Sequence, residues 1–537
     1  MKKTFRLIAA PLLAASLLMG GTSAWGAGIE KAATGSEGQT LAQVTTIAGK
    51  GDLGEANGVA AEATFRAPWS LLPLADGSVL VADARSHLIR KLSGGAVSTF
   101  AGITITKDAY MYPIGGLLDG KASTAVFQQP KGLAADAKGN IYVADAENHA
   151  IRKIDAGGNV TTIAGNGVLG SKDGKGKDAA FHSPQDVVVA PDGTVYVADT
   201  LNHAIRQISP DGAVTTLNAL SQRVVEVVPG QAVPAGDYAD GALAAAKFNE
   251  PTGLALDAKG NLYVSDSGNQ LIRYIDLTAK TVSTVAGSAQ VQYAKSNLYV
   301  TGDFQDGAAA QAKFNFPRGL AVSAEGGLFI ADSLNHSVRY LKDGVVRTIA
   351  GEKSTEEGSV DGTERSAELH HPSDVAVLGD GSLLVADAYN NKLRQIAFYE
   401  LPAGIAADGA IHVVYGNRKL AFDNAPEIAD GRTMVPVRSV TEALGFEVKF
   451  SEDANTGERT VDLGRNVTTI RLTIGKSELQ KTVNGKAEAV RPIDVAPYIK
   501  ADLTYVPVRF FAEELGLDVQ WNEATRTVIL RDRIAVQ

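Results

Sequence analysis

The sequence predicts an all-β six-bladed β-propeller followed by a C-terminal α+β domain built by internal duplication. Three observations carry this prediction. A phrase of the type Tyr142-Val-Ala-Asp145 recurs six times, which indicates a repeat architecture. Short β-branched segments bounded by Gly, Asp or Asn surround each copy and predict strands joined by tight turns. Beyond the last copy a different motif, Val-Pro-Val-Arg, occurs twice.

The recurring phrase places one Asp and one Arg seven residues apart in every unit. A residue repeated around a ring lies far from its other copies, so the six cannot act together in one active site. We expect each Asp and Arg to pair within or between units and hold the fold, because a buried pair is costly to break. These structural residues are Asp83, Asp145, Asp199, Asp266, Asp332 and Asp387, with Arg90, Arg152, Arg206, Arg273, Arg339 and Arg394.

One repeat unit, at 127–165 in its clearest copy, contains four short strand-like segments. Sequences such as Pro191-Asp-Gly193 between them suit hairpin turns, because Gly tolerates positive φ. Four antiparallel strands repeated six times describe a six-bladed propeller.

The two ends of the repeat region predict how the ring closes. Residues 44–49 have the pattern of a fourth strand with no strands before it, and the last unit ends near Ile396 after three strands. We therefore expect the N-terminal strand to complete the last blade, which removes two exposed strand edges.

The units resemble NHL repeats over residues 40–398. The resemblance lies in the repeated Asp, in the Asn-His pairs at 148/149, 202/203 and 335/336, and in the Ile-Arg or Val-Arg that follows. The departures are Ser86-His87, Asn269-Gln270 and Asn390-Asn391. The resemblance implies a scaffold, in a family that includes binding modules as well as some hydrolases and lyases.

A linker at 399–410 is predicted to lead into a second domain at 411–533. Val-Pro-Val-Arg occurs there at 435–438 and 506–509, each time followed by a short amphipathic helix, at 439–444 and 510–515. A Gly ends each helix, as a C′ position requires. Strands are then predicted at 447–450 and 518–521, which gives an α+β domain with two similar halves.

This doubled motif resembles the copper amine oxidase N-terminal-like (stalk) domain, common in exported proteins of Gram-positive bacteria. His412 is the only His after residue 371, and a single imidazole cannot build a copper site. The resemblance therefore implies an attachment or interaction domain rather than an oxidase.

Residues 1–26 are predicted to be a signal peptide. Lys2, Lys3 and Arg6 precede the apolar run 7–19, and small residues suitable for cleavage follow. This run is too short for a confident membrane span, and no second run reaches spanning length. We expect a secreted, extracellular protein, either free or associated with the cell wall, without a transmembrane anchor in the mature chain.

Composition excludes several function classes. The chain of 537 residues has no Cys, which excludes disulfides, Cys-ligated zinc and thiol catalysis. Its net charge of −9 argues against nucleic acid as a partner.

The residues that follow the Pro of each innermost strand differ between units and should ring one mouth of the central channel. A Trp offers a stacking face, Lys and Arg offer contacts to an anion, and Asp can accept hydrogen bonds. A solvated rim without a ligand is the alternative. The candidate binding residues are Trp69, Lys131, Gln185, Asp186, Arg318 and Asp374.

Three other features have a structural and a functional interpretation. The repeated His87, His149, His203 and His336 are expected to bond neighbouring backbone, since they cannot converge on one metal. Asp-Gly pairs beginning at residues 119, 173, 240, 306 and 361 are expected to be turns. Insertions at 103–118, 221–238 and 288–304 either contact a ligand or pack on neighbouring blades.

The sequence therefore predicts a binding or scaffold protein, with an envelope protein or a glycan as possible partner and with no catalytic residues, metal site or cofactor assigned. A propeller lyase or lactone hydrolase with a metal at the channel mouth remains the alternative. It would use Asp186 and Asp374, with His182, His370 and His371 nearby.

Overall fold

The computed structural model describes residues 25–294, 296–351 and 357–533. All but the last two residues of the predicted signal peptide lie outside these ranges. Among the described residues, no helix is long and apolar enough to cross a membrane.

Residues 42–399 form six antiparallel sheets of five or six strands, which we number by their innermost strands along the chain, and one two-stranded hairpin of Val224–Val228 and Gln231–Pro234. Sheet 1 contains Gly58–Val59, Pro68–Pro73, Val79–Asp83, Leu88–Ser93 and Ala96–Ala101. Sheet 2 contains Gly120–Lys121, Pro130–Ala135, Ile141–Asp145, Ala150–Ile154 and Asn159–Ala164. Sheet 3 contains Gly174–Lys175, Pro184–Val189, Val195–Asp199, Ala204–Ile208 and Ala213–Thr216.

Sheet 4 contains Gly241–Ala242, Pro251–Leu256, Leu262–Asp266, Leu271–Asp276 and Thr281–Ala286. Sheet 5 contains Gly307–Ala308, Pro317–Val322, Leu328–Asp332, Ser337–Lys342 and Val345–Ala350. Sheet 6 contains Ala42–Ala48, Gly362–Thr363, Pro372–Val377, Leu383–Asp387 and Lys392–Tyr399, and Trp25–Ala27 pairs with its last strand.

The sheets stand side by side as a β-propeller. The innermost strand of each sheet, which begins at a Pro, contacts the innermost strand of the next, and that of sheet 6 contacts that of sheet 1. The apolar cores lie between successive sheets: Phe181 at the start of sheet 3 packs against Ala144 and Ile151 of sheet 2. Strands covered on both faces are continuously buried, as in Val195–Asp199, where only the last residue is charged.

The ring closes at sheet 6 as the sequence predicts. Ala42–Ala48 pairs antiparallel with Lys392–Tyr399, and Val44 lies opposite Ile396. The two ends of the repeat region thus share one sheet, and neither leaves a free strand edge there.

Each sheet has a two-residue strand beyond the four predicted for a unit, and sheet 6 also includes Trp25–Ala27. The Asp-Gly pairs, predicted to be turns, instead lead into two-residue strands such as Gly174–Lys175, which pairs with Ala213 and Val214 of the outermost strand. The cause is the carboxylate of Asp173, which accepts hydrogen bonds from the backbone N and the hydroxyl of Thr216 at 3.1 and 2.9 Å and so holds this segment against the sheet edge.

The C-terminal region consists of strands and two short helices. One sheet contains His412–Tyr415, Arg418–Lys419, Leu517–Asn522 and Thr527–Asp532. A second contains Glu427–Ala429, Arg432–Pro436, Tyr498–Lys500 and Leu503–Pro507. A third contains Glu447–Glu452, Arg459–Arg465, Thr468–Thr473, Glu478–Val483, Lys486–Ala487 and Arg491–Pro492.

The helices are α1 (Val437–Ala443) and α2 (Val508–Leu515). Each begins two residues earlier than predicted, directly after Pro436 or Pro507. A Pro before the first turn has a φ suited to helix entry, here −56° and −66°, and loses no helical hydrogen bond.

The C-terminal domain packs directly on sheet 6 and the segment before it. Leu401 and Ile405, in the predicted linker, lie against a small apolar cluster that joins Leu41 and Tyr399 to Ile529. The residues between the two domains are therefore a packed part of the interface.

Arg531 lies at the centre of this interface and is 2% exposed. Its guanidinium donates to both oxygens of Glu364 at 2.9 and 3.0 Å and to the Ala42 carbonyl at 3.2 Å, and its Nε donates to Asp518 at 3.0 Å. Glu364 and Ala42 belong to the propeller, whereas Arg531 and Asp518 belong to the C-terminal domain. A buried, bidentate ion pair thus joins the two.

Candidate functional site: the channel mouth

The repeated Asp and Arg form buried ion pairs inside each sheet. In sheet 3, Arg206 donates to Asp199 at 2.6 Å and to the outer Asp173 at 2.8 Å, and the side chains of Asp199 and Arg206 are fully buried. Equivalent buried pairs span 2.6–3.1 Å in all six sheets. The carboxylate of the Asp-Gly pair is therefore a second partner of the same Arg.

The buried Asp also fixes the start of the innermost strand, where the mouth lies. The second oxygen of Asp199 accepts the backbone N–H of His182 at 2.7 Å. The next residue, Ser183, has φ of 52°, which is unfavourable for a residue with a side chain. Its N–H is held by Nδ1 of His149 from the preceding sheet, at 3.1 Å. Two successive sheets thus hold the strained residue that precedes the mouth.

The repeated His residues all occupy this bridging position. His87, His149, His203 and His336 accept the backbone N–H of the next sheet at 2.9–3.1 Å. Gln270 and Asn391, the departures from the pattern, accept the same bond with their amide oxygens. Any side chain with an acceptor at that point suffices, which explains why His is not required there.

At the mouth, Lys131 and Arg318 both approach the indole of Trp69. The ammonium and the guanidinium each lie 4.7 Å from the ring centroid. Trp69 was predicted to offer a stacking face to a ligand, but in the structure its ring already contacts these two cations. Gln185 lies beside them and accepts a long hydrogen bond of 3.4 Å from Arg318.

Neither of these two cations forms an ion pair within the part of the chain that the structure describes. Lys131 is only 8% exposed, yet no carboxylate of the described residues forms an ion pair with it or with Arg318. Burial, with repulsion from Arg318, lowers the pKa of Lys131 to about 8. Burial also lowers the pKa of Arg318. The charges of Glu250 and Glu147 offset part of this effect on Lys131, but neither carboxylate forms an ion pair with the two cations.

Two of the insertions form a wall beside this cationic mouth. Arg223, in the insertion 221–238, lies 3.7 Å from the ring centroid of Tyr293, in the insertion 288–304. Its guanidinium donates to the carbonyls of Asn297 and Leu298 at 2.9 and 2.7 Å. The insertion 288–304 also places the Tyr299 hydroxyl 2.8 Å from the carboxylate of Glu250. In the insertion 103–118, Tyr110 is 83% exposed.

Glu250 and Tyr299 also lie beside the two cations, although neither residue was selected from the sequence. Burial raises the pKa of Glu250, while the charges of Arg318 and Lys131 oppose that rise, so the three groups share one environment. Part of this position could be recognised from the sequence. Glu250 directly precedes Pro251, which begins an innermost strand, just as Gln129 precedes Pro130 in sheet 2. Only the tertiary structure brings Tyr299 to this carboxylate.

Asp186 and Asp374 lie one residue deeper, on innermost strands three sheets apart in the ring. Both are half-buried, and each bridges two innermost strands. Asp186 accepts the N–H groups of Val187 and Leu254 at 2.8 Å. Burial raises the pKa of Asp374 to about 7, and burial together with the charge of Asp374 raises that of Asp186 well above 3.8. The channel beneath the mouth thus contains two carboxyl groups that repel each other when both are ionised.

We expect Asp374→Asn to reduce the pH dependence of stability. The folded protein keeps a proton on Asp374 up to about pH 7, whereas the unfolded chain releases it near pH 3.8. Wild-type stability contributed by this group therefore falls as the pH rises between these values. The free energy of unfolding, measured with urea, should fall between pH 5 and pH 8 by about 2 kcal/mol less in Asp374→Asn than in wild type.

The exposed Asp343 provides the control for this prediction, since its side chain is 84% exposed. Asp343→Asn should leave the wild-type difference between pH 5 and pH 8 unchanged. If the free energy of unfolding fell equally between pH 5 and pH 8 in wild type and in Asp374→Asn, the raised pKa of Asp374 would be contradicted.

His336, His370 and His371 cluster beside Tyr389, with His371 4.4 Å from the Tyr389 ring centroid. The described residues contain no group of three or more His, Asp or Glu placed to hold one metal ion.

Comparison with known proteins supports both halves of this architecture. Residues 127–154, 181–208, 248–273 and 314–339 match the NHL repeat. Residues 414–530 match the copper amine oxidase N-terminal domain.

Two curated relatives match more than half of this chain. Protein SUPPRESSOR OF QUENCHING 1, chloroplastic, of Arabidopsis thaliana is 32% identical over 52% of this chain and 26% of its own length. NHL repeat-containing protein 2 of Gallus gallus is 29% identical over 59% of this chain and 44% of its own length. The chain thus spans less than half of either relative.

Among solved structures, an auxiliary nutrient binding protein from Bacteroides thetaiotaomicron is 15% identical, with a TM-score of 0.46 over 67% of this chain and 77% of its own. By the sequence matches alone, the chain carries NHL repeats followed by a copper amine oxidase N-terminal domain.

Proposed function

We propose that this is a secreted or cell-envelope binding protein whose propeller binds an anionic group at the channel mouth, and whose C-terminal domain mediates attachment. The observation that carries the proposal is the pair Lys131 and Arg318, two largely buried cations without an anionic partner among the described residues. Charges removed from water are costly unless they are paired. An anion from outside the protein would provide that pairing.

The neighbouring groups indicate what else the ligand contains. Glu250 and Gln185 carry acceptor oxygens beside the cations, and Tyr299 carries a hydroxyl. These groups suit a small carboxylate or phosphate that also has hydroxyl or amino hydrogens to donate. The net charge of −9 makes the positive mouth a local exception, which favours selective binding there over general attraction of anions.

The architecture proposed for this function is a propeller of six blades, one for each sheet, with domains at 40–398 and 411–533. A duplication is proposed for the second domain. In support, its two Val-Pro-Val-Arg strands pair antiparallel, with Val435 opposite Val506, the same position of each copy. Such pairing is what a pseudo-twofold arrangement of two halves requires.

Replacing Lys131 with Met should weaken anion binding about tenfold or more, since a hydrogen bond to a charged group contributes about 1.5–3 kcal/mol. Calorimetric titration with succinate, citrate and inorganic phosphate would identify a probe that binds and measure the loss. Wild-type affinity should also fall as the pH rises through about 8, where Lys131 loses its proton. Lys131→Met should lack that fall.

Lys153 supplies a matched control, because its ammonium lies 5.7 Å from the ring centroid of Tyr142, away from the mouth. Lys153→Met should bind the probe as wild type does. Unchanged affinity in Lys131→Met, or an equal loss in Lys153→Met, would count against the mouth as the binding site.

A further inference from the structure

A second cationic pocket lies where the C-terminal domain meets the N-terminal segment of the propeller. It has a volume of about 290 Å³, close to the lower end of ligand pockets. Three arginines line it, Arg432, Arg509 and Arg526, together with the aromatic ring of Trp521. It is separate from the channel mouth and contains none of the mouth residues.

The arginines of this pocket are poorly neutralised. Arg432 pairs with Asp494 at 2.8 Å. Arg509 and Arg526 form no ion pair with any carboxylate whose side chain the structure describes, a set that does not include Glu513, and the Nε of Arg526 is buried without a hydrogen-bond partner. The one carboxylate lining the pocket, Glu523, is occupied by the indole N–H of Trp521. Two guanidinium groups are thus available to an anion.

The rest of the lining is apolar on one side and polar on the other. Trp521 and Val519 pack against the core of the domain and also line the pocket. Thr433 and Ser36 add hydroxyl groups. An aromatic surface beside guanidinium groups suits a ligand that has both a ring and a carboxylate, because Arg binds carboxylates in a planar, two-point manner.

The pocket is complete only in the full chain. Ser36 precedes the propeller, and its hydroxyl accepts the backbone N–H of Trp521 at 2.8 Å, while its own N–H donates to Gln520 at 3.1 Å. These bonds hold the segment that contains Ser36 against the strand that carries Trp521. The packed interface around Arg531 therefore also builds this pocket.

We infer that this pocket binds an acidic polysaccharide through one uronic acid residue. The sugar ring lies against Trp521, and its carboxylate is bound by Arg509 and Arg526. The volume accommodates a single sugar unit rather than a long segment, so the remainder of the polymer extends over the surface. The inference rests on the proposed attachment role of the C-terminal domain and names the chemistry of the surface to which it attaches.

The test is titration of the full chain with a defined oligogalacturonate. Binding is expected for the wild type, with the affinity reduced about tenfold or more in Arg509→Ala and in Trp521→Ala. Arg509 is exposed, so Arg509→Ala should fold normally, which thermal unfolding would check. Neutral dextran of the same length should not bind.

The duplicated motif supplies a matched control. Arg438 occupies the position of Arg509 in the first copy but lies over Phe450, 5.8 Å from its ring centroid, and outside the pocket. Arg438→Ala should bind oligogalacturonate as wild type does.

Three outcomes would overturn the inference: no binding of oligogalacturonate, equal binding of dextran, or an equal loss in Arg438→Ala. If poly-L-glutamate bound as tightly as oligogalacturonate, the ligand of the pocket would be an acidic peptide and not a polysaccharide. Attachment itself is tested separately with cell-envelope fragments, so failure of the pocket and failure of the attachment role give different results.

Discussion

Replacing Asp199 with Ala is expected to lower the free energy of unfolding of the propeller by about 3–5 kcal/mol. The substitution removes the fully buried partner of Arg206 at 2.6 Å and leaves the buried guanidinium paired only with Asp173, whose side chain is 48% exposed. It also removes the acceptor for the backbone N–H of His182, which positions the start of the innermost strand. Urea unfolding followed by circular dichroism would measure the loss.

The control is a substitution at Asp173, the outer partner of the same arginine. The side chain of Asp173 is 48% exposed and 2.8 Å from Arg206, so Asp173→Asn should cost about 1 kcal/mol or less. The double variant Asp199→Ala with Arg206→Met removes both buried charges and should recover part of the stability. A double variant no more stable than Asp199→Ala alone would contradict the role assigned to the uncompensated charge.

Replacing Arg531 with Met is expected to uncouple the C-terminal domain from the propeller. Glu364, which is 4% exposed, would lose the two hydrogen bonds that neutralise it, and Asp518 would lose the same partner. Removing one member of a buried ion pair costs about 3–5 kcal/mol. Calorimetry should show the C-terminal domain unfolding at a lower temperature than in wild type, and limited proteolysis should cut between residues 399 and 410.

Arg471 gives the comparison within the same domain, because its bidentate pair with Asp462 is 2.7 Å long but the Arg side chain is 55% exposed. Arg471→Met should change stability by about 1 kcal/mol or less. If Arg531→Met were as resistant to protease as Arg471→Met, the domains would be held by other contacts.

Much of the fold could be predicted because the repeat unit carries its own local rules. Strands alternate with turn residues, and the recurring Asp and Arg mark the same place in each unit. The closing strand at Ala42–Ala48 was predictable because an unpaired fourth-strand pattern needs a partner. The two-residue edge strands were missed, since Gly174–Lys175 is too short for a strand pattern and depends on the distant Thr216.

The candidate site was predictable only in part. The residues that follow the recurring Pro of each unit differ, and this difference can be read from the sequence. On that basis Lys131 and Arg318 were predicted to lie at one mouth of the channel. It could not show that Trp69 lies against both cations, or that Tyr299 reaches Glu250, because these residues come from different blades and from long insertions.

By itself, then, the sequence determined the two kinds of repeat, the strands that form them and the ring position of each candidate residue, because these follow from local patterns and spacing. The tertiary structure alone decided which charges remain unpaired at the mouth and how the C-terminal domain packs on sheet 6. Those properties depend on contacts between residues hundreds of positions apart, such as Arg531 and Ala42, and no local pattern encodes such a distance.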